Sequence, residues 1–413
     1  MKKEWLEKYR ESLKTEHNST VLTGFNAHID SSLKFDSSRI NLEKVESELL
    51  NKVSSEEDLK KVLKYCKENK SNQEVQLDFN PEISGHEQLG GQAGIIANFQ
   101  SRIGNKSIIY TPFLSEKVSN LVDEEVFYPV IEDNLKLKRV KQGINTDRTK
   151  KNYIIELEEE SCRLILSDSL RGFGPYFRKS LEEKLEKTNH EIDRIILSGF
   201  HDAEGNVESK LMKSEKQLEK IETDKHLEFV SKGEEVDQMM LEHIAPQFTS
   251  IGMDEQELRN ISETLGVDLG DATLGHVYNA VKKIIEETGV ERIHVHTYNF
   301  QCVVAKKSYE VDAKDIRRGM LFGGLAGVSM AEQGELPSKD QIKINSEKMH
   351  INRLDELEDF QNYFELENFV ETGIAELEEY KVVATPTIIH EEPKRLVGMG
   401  DVISSGSFMT EIN

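Results

Sequence analysis

The chain has 413 residues, with 53 lysines and arginines against 76 aspartates and glutamates, a formal net charge of −23 at pH 7. So acidic a surface repels polynucleotides and anionic bilayers, and it admits a phosphorylated ligand only where helix termini, local cations or a divalent ion offset the field. Three widely separated cysteines, Cys66, Cys162 and Cys302, match neither a disulfide framework nor a zinc pattern, and no apolar run is long enough for a signal peptide or membrane span. The expectation is a cytoplasmic protein with one large domain and one smaller one.

The opening MKKEWLEKYRESLK alternates charge on a helical period. In STVLTGFNAHID, Val21 and Leu22 predict a buried strand and Gly24 begins a polar exit along which Asn26, His28 and Asp30 alternate. Residues two apart in an extended segment project to one side, so these three either line one wall of a polar cleft or form a strand end with satisfied polar groups. Residues 31 to 85 read as charged and mostly helical, ending in the strand-like EVQLDF. Gly90 and Gly91 then precede a helix in which Ile95, Ile96 and Phe99 face the core and Gln92 sits at the start. Between about 106 and 185 the pieces SIIYTPF, KLKRV, NYIIELE and CRLILS predict short strands, followed by a glycine-rich turn flanked by Arg171 and Arg178.

From residue 190 the rhythm is strand then helix: RIILSGF, KHLEFVS, FTSIGM, RIHVHTY and EYKVVATP alternate with amphipathic stretches such as TLGHVYNAVKKIIEETG. That pattern predicts βαβ units and a mainly parallel sheet, whose ligands bind beyond the carboxyl ends of the strands. The polar residues there are His226 and Glu228, Asp254 and Glu257, His294 and His296, and Asp401. Asp254 and Glu257 have the spacing of a helix capping box, and the two histidines of HVHTY read as half-buried strand side chains. In LVGMGDVISSGSF, Leu396 and Val397 read as the end of a buried strand and Val402 as the first turn of a helix, which puts Asp401 at the switch between them. Gly398 and Gly400 open the backbone to a ligand, the helix amides suit a phosphate, and the carboxylate is placed to take a proton from a hydroxyl. An ordinary turn with an aspartate cap has the same spelling.

In order, GFNAHID, GGQAG, LSGFH, KHLEFVS, SIGMDEQEL, RIHVHTY and GMGDVISS resemble the archaeal-type ADP-dependent sugar kinases, the glucokinase and phosphofructokinase family with a ribokinase-like fold. The resemblance runs over nearly the whole chain. It implies an α/β architecture: a Rossmann-like large domain with a mainly parallel central sheet flanked by helices, from residues 1–28, 88–135 and 186–413, and a smaller α/β lid from 29–87 and 136–185. It implies that Asp401 is the catalytic base, with Gly398, Gly400 and the following amides as anion hole. His226, Val397 and Gly398 are then expected at the nucleotide. The H-x-E motif corresponds to His226 and Glu228, and the acid of the N-x-x-E motif to Glu257, with Asp254 where the family has asparagine. Glu257, Glu228 and Asp254, partly through water, are thus the expected magnesium set.

The same resemblance places sugar hydroxyls on Asn26, His28, Asp30, Gly91 and Gln92, and implies transfer of the β-phosphoryl of magnesium ADP to a sugar, leaving AMP. The partners it implies are ADP and a sugar or sugar phosphate, with the chain a monomer or small homo-oligomer. Fructose 6-phosphate is the expected acceptor, its phosphate held by Lys150 or Lys151, Arg171 and Arg178, because Asn152 stands where a glucokinase-like lid has histidine. Glucokinase or dual activity is the alternative, with Glu68, Glu82 or Glu87 as the glucose-binding acid. An ATP-dependent ribokinase-type enzyme and a sugar sensor without catalysis are further alternatives; length, the H-x-E segment and GMDEQEL weigh against the first.

Overall fold

The computed structural model describes residues 1–35, 42, 45–81, 83–132, 134–157, 162–188, 191–345 and 347–412, so Glu82 lies outside the described residues. An eleven-stranded sheet runs in the order 374–377, 380–386, 300–306, 292–296, 250–254, 225–228, 194–197, 20–24, 106–110, 127–131, 135–139. The stretch from 292–296 to 127–131 is parallel. Antiparallel strands extend both edges. The strands predicted at SIIYTPF, KLKRV, RIILSGF, KHLEFVS, FTSIGM, RIHVHTY and EYKVVATP are all present, and the last is antiparallel. Alternation alone did not reveal 127–131, 300–306 or 374–377.

The first strand, Thr20–Gly24, lies mid-sheet, with 106–110 on one side and 194–197 on the other. The order of strands reverses there, which opens a crevice beyond their carboxyl ends. A second, six-stranded sheet stands over that crevice, in the order 52–53, 73–77, 162–168, 151–157, 28–34, 86–90. The strand His28–Lys34 continues the extended exit into residues 31–34, the start of the stretch read as mostly helical, while the helical reading holds at Glu56–Asn69. That helix packs its Leu59, Val62, Leu63 and Cys66 against Val75, Leu77, Tyr153, Ile155 and Leu164, a core separate from that of the large sheet. One face of the small sheet is thereby sealed, and the other is left polar.

Two helices decide where Asp401 sits. Ala313–Gln333, not anticipated from the sequence, carries Gly319, Gly323 and Gly327 four apart on one face. A Cβ on these glycines would lie 2.4 Å from the Ser407 carbonyl oxygen, 2.2 Å from that of Ile403 and 2.6 Å from Ile403 Cγ1. The stripe therefore lets the helix Met399–Thr410 approach backbone to backbone. The N-terminal helix Lys2–Ser12 closes the outer side, with Trp5 and Tyr9 fully buried and their polar atoms donating to the carbonyls of Val370 (3.0 Å) and Pro386 (2.8 Å).

Gly323→Ala should push these helices apart and cost about 1–3 kcal/mol in urea unfolding. Gly275→Ala, where the added Cβ meets only Thr273 Oγ1 at 4.0 Å, should instead be neutral or raise stability by about 0.5 kcal/mol. Equal effects at the two sites would show that close approach is not what the stripe provides.

Candidate active site

Two clefts meet beneath the small sheet. The first, of about 600 Å³, lies at the strand-order reversal and is lined by Asn26, His28, Glu74, Lys150, His201 and Asp202 among others. The second, of about 960 Å³, runs over the ends of strands 225–228, 250–254 and 292–296 and includes Gln92, Glu228, Glu257, His296 and Gly398 to Asp401. Glu74 and Val230 belong to both walls.

In the first cleft the alternation of Asn26, His28 and Asp30 holds, and all three are buried. Asn26 Oδ1 accepts from the Ser198 hydroxyl (2.7 Å) and the Ala93 amide (3.3 Å), and its Nδ2 donates to Gln92 Oε1. His28 Nε2 lies 3.1 Å from Asp30 Oδ1 and 3.0 Å from Asn152 Nδ2. Gly91 immediately precedes the helix Gln92–Ile103, packed against the Asn26 carbonyl. Asn26 with Gln92, and His28 with Asp30, thus form two hydrogen-bonded groups on either side of Gly91, with Asn26 and His28 lining the first cleft and Gln92 the second. Lys150 Nζ pairs with Asp202 Oδ1 at 2.8 Å. Burial opposes ionisation of Asp202, but Lys150 and His201 outweigh it and hold the carboxyl below its ordinary range. Burial also pushes His201 down to about 4.

Three expected phosphate contacts lie elsewhere. Lys151 opens the strand Lys151–Leu157 beside Ile29, and alternation turns it to the opposite side of the small sheet from Asn152, His28 and Asp30. Its Nζ bonds Glu87 Oε1 at 2.7 Å over the Tyr153 ring. Arg171 shares that outer cleft of about 560 Å³ with Lys151 and Lys117. Arg178 donates to the Pro112 carbonyl (3.1 Å) at the surface. Of the acids considered for glucose, Glu87 is taken by Lys151 and Glu68 lies 3.8 Å from Lys64 on the lid helix. Glu74 lines the first cleft, together with Asp168, Asp202 and Glu204, and neither Glu68 nor Glu87 does. The sequence carries that signal: in QEVQL, buried Val75 and Leu77 force Glu74 and Gln76 to the other face.

Leu396 and Val397 are not a strand end. The last strand is Ile388–His390, in a two-stranded ribbon with Met349–Ile351, and residues 391–398 form a loop with Leu396 55 % exposed over the second cleft. The helix begins at Met399, three residues before Val402, so Asp401 is in its first turn. Gly398 precedes it at φ +82°, and a Cβ there would also lie 2.8 Å from Ile95 Cδ1. Gly400 packs on His296, whose Nε2 would be 2.6 Å from an added Cβ. His294, expected half-buried, is fully buried.

His226 Nε2 lies 3.1 Å from Glu228 Oε1 and 2.9 Å from Ser404 Oγ, which ties the H-x-E strand to the Asp401 helix. Gly252 makes this possible, since a Cβ there would fall 2.1 Å from Ser404 Oγ. Asp254 and Glu257 form the capping box: the Glu257 amide donates to Asp254 Oδ1 and the Asp254 amide to Glu257 Oε2, both at 2.8 Å. One oxygen of each carboxylate remains for another partner. Burial, then the neighbouring Asp254, pushes the Glu257 carboxyl well above its usual range. Burial, then Glu228, does the same to Asp401, and Arg395 only partly offsets it. This surplus of oxygen-borne negative charge is what a hard divalent cation relieves. Among the described residues no three His, Cys, Asp or Glu side chains are grouped closely enough to hold a metal ion by themselves.

Residues 19–410 match the sequence profile of the ADP-specific phosphofructokinase/glucokinase conserved region. The chain belongs to this family. An ADP-specific phosphofructokinase of Pyrococcus furiosus is 28 % identical over 364 residues, 79 % of this chain and 78 % of that protein. An ADP-dependent glucose/glucosamine kinase of the same organism is 29 % identical over 350 residues, 79 % and 75 % of the two chains. Among solved structures, an ADP-dependent kinase in complex with fructose 6-phosphate and ADPβS superposes with a TM-score of 0.85, covering 100 % of this chain and 97 % of that one at 24 % identity. An ADP-dependent phosphofructokinase from Pyrococcus horikoshii gives 0.78, covering 96 % and 98 % at 24 % identity. The last two comparisons establish the family fold.

Because its carboxyl is raised in the folded protein, Asp401 makes the fold bind more protons than the unfolded chain as pH rises from the ordinary carboxylate range, near 3.9, toward the raised value. Stability falls across that window and the penalty persists above it. Asp401→Asn should therefore raise the melting temperature at pH 7 and lose the gain below about pH 4. A melting temperature unchanged or lowered at pH 7 would mean the charge is already neutralised.

Proposed function

We propose that the protein is an ADP-dependent sugar kinase that transfers the β-phosphoryl group of ADP to fructose 6-phosphate, giving fructose 1,6-bisphosphate and AMP. The observation that carries this reading is the place of Asp401: in the first turn of a helix, after a left-handed glycine, beside the meeting of a polar sugar-sized cleft and a cleft walled by carboxylates.

Asn26, His28, Asp30, Gly91 and Gln92 hold the sugar hydroxyls and turn one toward Asp401. The Asp401 carboxylate takes that hydroxyl's proton as the new bond to phosphorus forms and the bond to the AMP oxygen breaks. Its raised proton affinity suits a group that must collect a proton near neutral pH. The partial positive charge of the helix start, from Gly398 through Gly400, offsets the charge on the moving group. Magnesium, when bound, neutralises the nucleotide phosphates; Glu228 and Glu257 would hold it, with Asp254 acting through water. Val397 and Gly398 line the nucleotide side, while His226, expected there, is fully buried and reaches the cleft only through its bond to Glu228. The small sheet serves as a lid whose polar face excludes water when both substrates are in place.

Fructose 6-phosphate is preferred because Lys150 and Lys232 face the first cleft as cations for its phosphate and Asn152 is bonded to His28, which lines that cleft. Glucose is the second reading, favoured by Glu74, whose carboxylate is suited to accept from sugar hydroxyls.

AMP release should be followed with magnesium while ADP and ATP are crossed against fructose 6-phosphate and glucose. AMP from ADP and fructose 6-phosphate is expected; turnover with ATP alone would overturn the donor. Asp401→Ala should retain ADP binding by calorimetry and lose about 10²–10⁴-fold in kcat, and an undiminished kcat would remove Asp401 from the chemistry. Glu74→Gln should depress kcat/KM for glucose about tenfold or more and spare fructose 6-phosphate. Parallel losses on both sugars would return Glu74 to a structural part, through its bond from Ser167.

A further inference from the structure

Beneath the Asp401 helix, His226 is wholly buried with a partner at each ring nitrogen: Ser250 Oγ 2.8 Å from Nδ1, and Glu228 Oε1 and Ser404 Oγ at 3.1 and 2.9 Å from Nε2. Arg292 Nη1 lies 2.9 Å from the same Ser250 oxygen. Arg292 is itself pinned, with Nη2 3.1 Å from Ser407 Oγ and Nε 3.3 Å from Glu411 Oε2, and both Arg292 and Glu411 are almost completely buried.

A guanidinium only donates, so Ser250 Oγ accepts from Arg292. Among the described residues, Nδ1 of His226 is the one acceptor in reach of the Ser250 hydroxyl hydrogen. Were the ring hydrogen on Nδ1, Ser250 would face two donors with its own hydrogen buried and unpaired, and the Nε2 lone pair would confront a carboxylate oxygen. Each such conflict costs about 1–3 kcal/mol. With the hydrogen on Nε2 both conflicts vanish: Arg292 donates to Ser250, Ser250 to Nδ1, and the one Nε2 hydrogen is shared between Glu228 Oε1 and Ser404 Oγ.

We propose that Arg292, anchored by Glu411 and acting through Ser250, holds His226 as the neutral tautomer with its hydrogen on Nε2, and that this hydrogen fixes one oxygen of Glu228 so that the other faces the nucleotide cleft. Ser250 and Arg292 are then positioning residues, two and three hydrogen bonds removed from Glu228. The tautomer follows from donors and acceptors alone; its consequence for metal binding rests on the kinase reading above.

The two parts separate experimentally. Long-range proton–nitrogen correlation spectra of the full chain labelled with ¹⁵N-histidine, with His226 assigned by its loss in His226→Gln, report the tautomer without metal or nucleotide. A protonated Nε2 with an unprotonated Nδ1 is expected. A protonated Nδ1, or both nitrogens protonated, overturns the proposal. Ser250→Ala should give mixed tautomers and raise the magnesium concentration for half-maximal rate about 10–100-fold, with the sugar KM unchanged, and Ser250→Thr should restore both. Ser250→Ala spectra still showing only the Nε2 form, or a sugar KM rising in step with the magnesium requirement, would also overturn it. The expected wild-type spectrum in a protein that makes no AMP would instead leave the tautomer standing and sink the kinase reading.

Discussion

The helix that carries Asp401 is fastened to the sheet by buried charge. Glu411, next to its last turn, lies 2.6 Å from Arg194 Nη1 and 3.3 Å from Arg292 Nε, and all three side chains are closed off from solvent. Burial alone would raise the Glu411 carboxyl, but Arg292 and Arg194 outweigh it and keep the group ionised. Arg194 also lies over the Phe408 ring, 3.9 Å from its centroid, and bonds Tyr309 at 3.0 Å. Such a network is weak evidence of net stability, because desolvating the ions costs nearly what their attraction returns. What it does provide is register. Sliding the helix by one residue would strand a buried charge, at a cost of several kcal/mol, whereas an apolar interface would tolerate the slip. The glycine stripe of Ala313–Gln333 fixes the distance on the opposite side.

Anchorage at the back permits the helix to be unfavourable at the front. Asp401, Glu228 and Glu257 face the cleft with more like charge than nearby cations cancel, which is why burial and mutual repulsion raise Asp401 and Glu257. A site organised around its own packing would neutralise them. Here the missing partners are the ones a metal-bound nucleotide and a hydroxyl proton supply, and the cost is carried by a helix whose far end cannot move.

Much of this was legible in the chain, and the failures have local causes. The parallel strands announced themselves as β-branched runs, and GFNAHID placed Asn26, His28 and Asp30 on one wall by alternation alone. Charge alone pointed to Lys151; alternation from Asn152, paired with Asp30, turns it to the outer side of the small sheet. Leu396 and Val397 read as a strand because apolar pairs usually are; Leu396 is exposed because it lines a ligand cleft. The capping box of Asp254 and Glu257 was as legible as their place in a metal site, and the structure shows the first without excluding the second, since each carboxylate keeps one oxygen. The buried arginines were invisible: Arg194 and Arg292 open apolar strands, where a charge ordinarily marks the strand's solvated edge.

The acidity of the chain bears on the same division. A protein of net charge −23 must admit anions, yet the described cleft walls hold few cations: Lys150, paired to Asp202, and Lys232 in the first cleft and Arg163 in the second. Neutralisation is therefore left to the helix start and to whatever cation the nucleotide brings. An arginine clamp at the same place would attract free phosphate as strongly as substrate and would hold product after transfer. Carboxylates raised by burial discriminate instead: they repel a bare anion, welcome one that arrives with a divalent ion, and can accept the proton released when the acceptor oxygen attacks. Acidic composition and phosphoryl chemistry are thus compatible here because the permanent cations, Arg194 and Arg292, are spent behind the helix rather than in front of it.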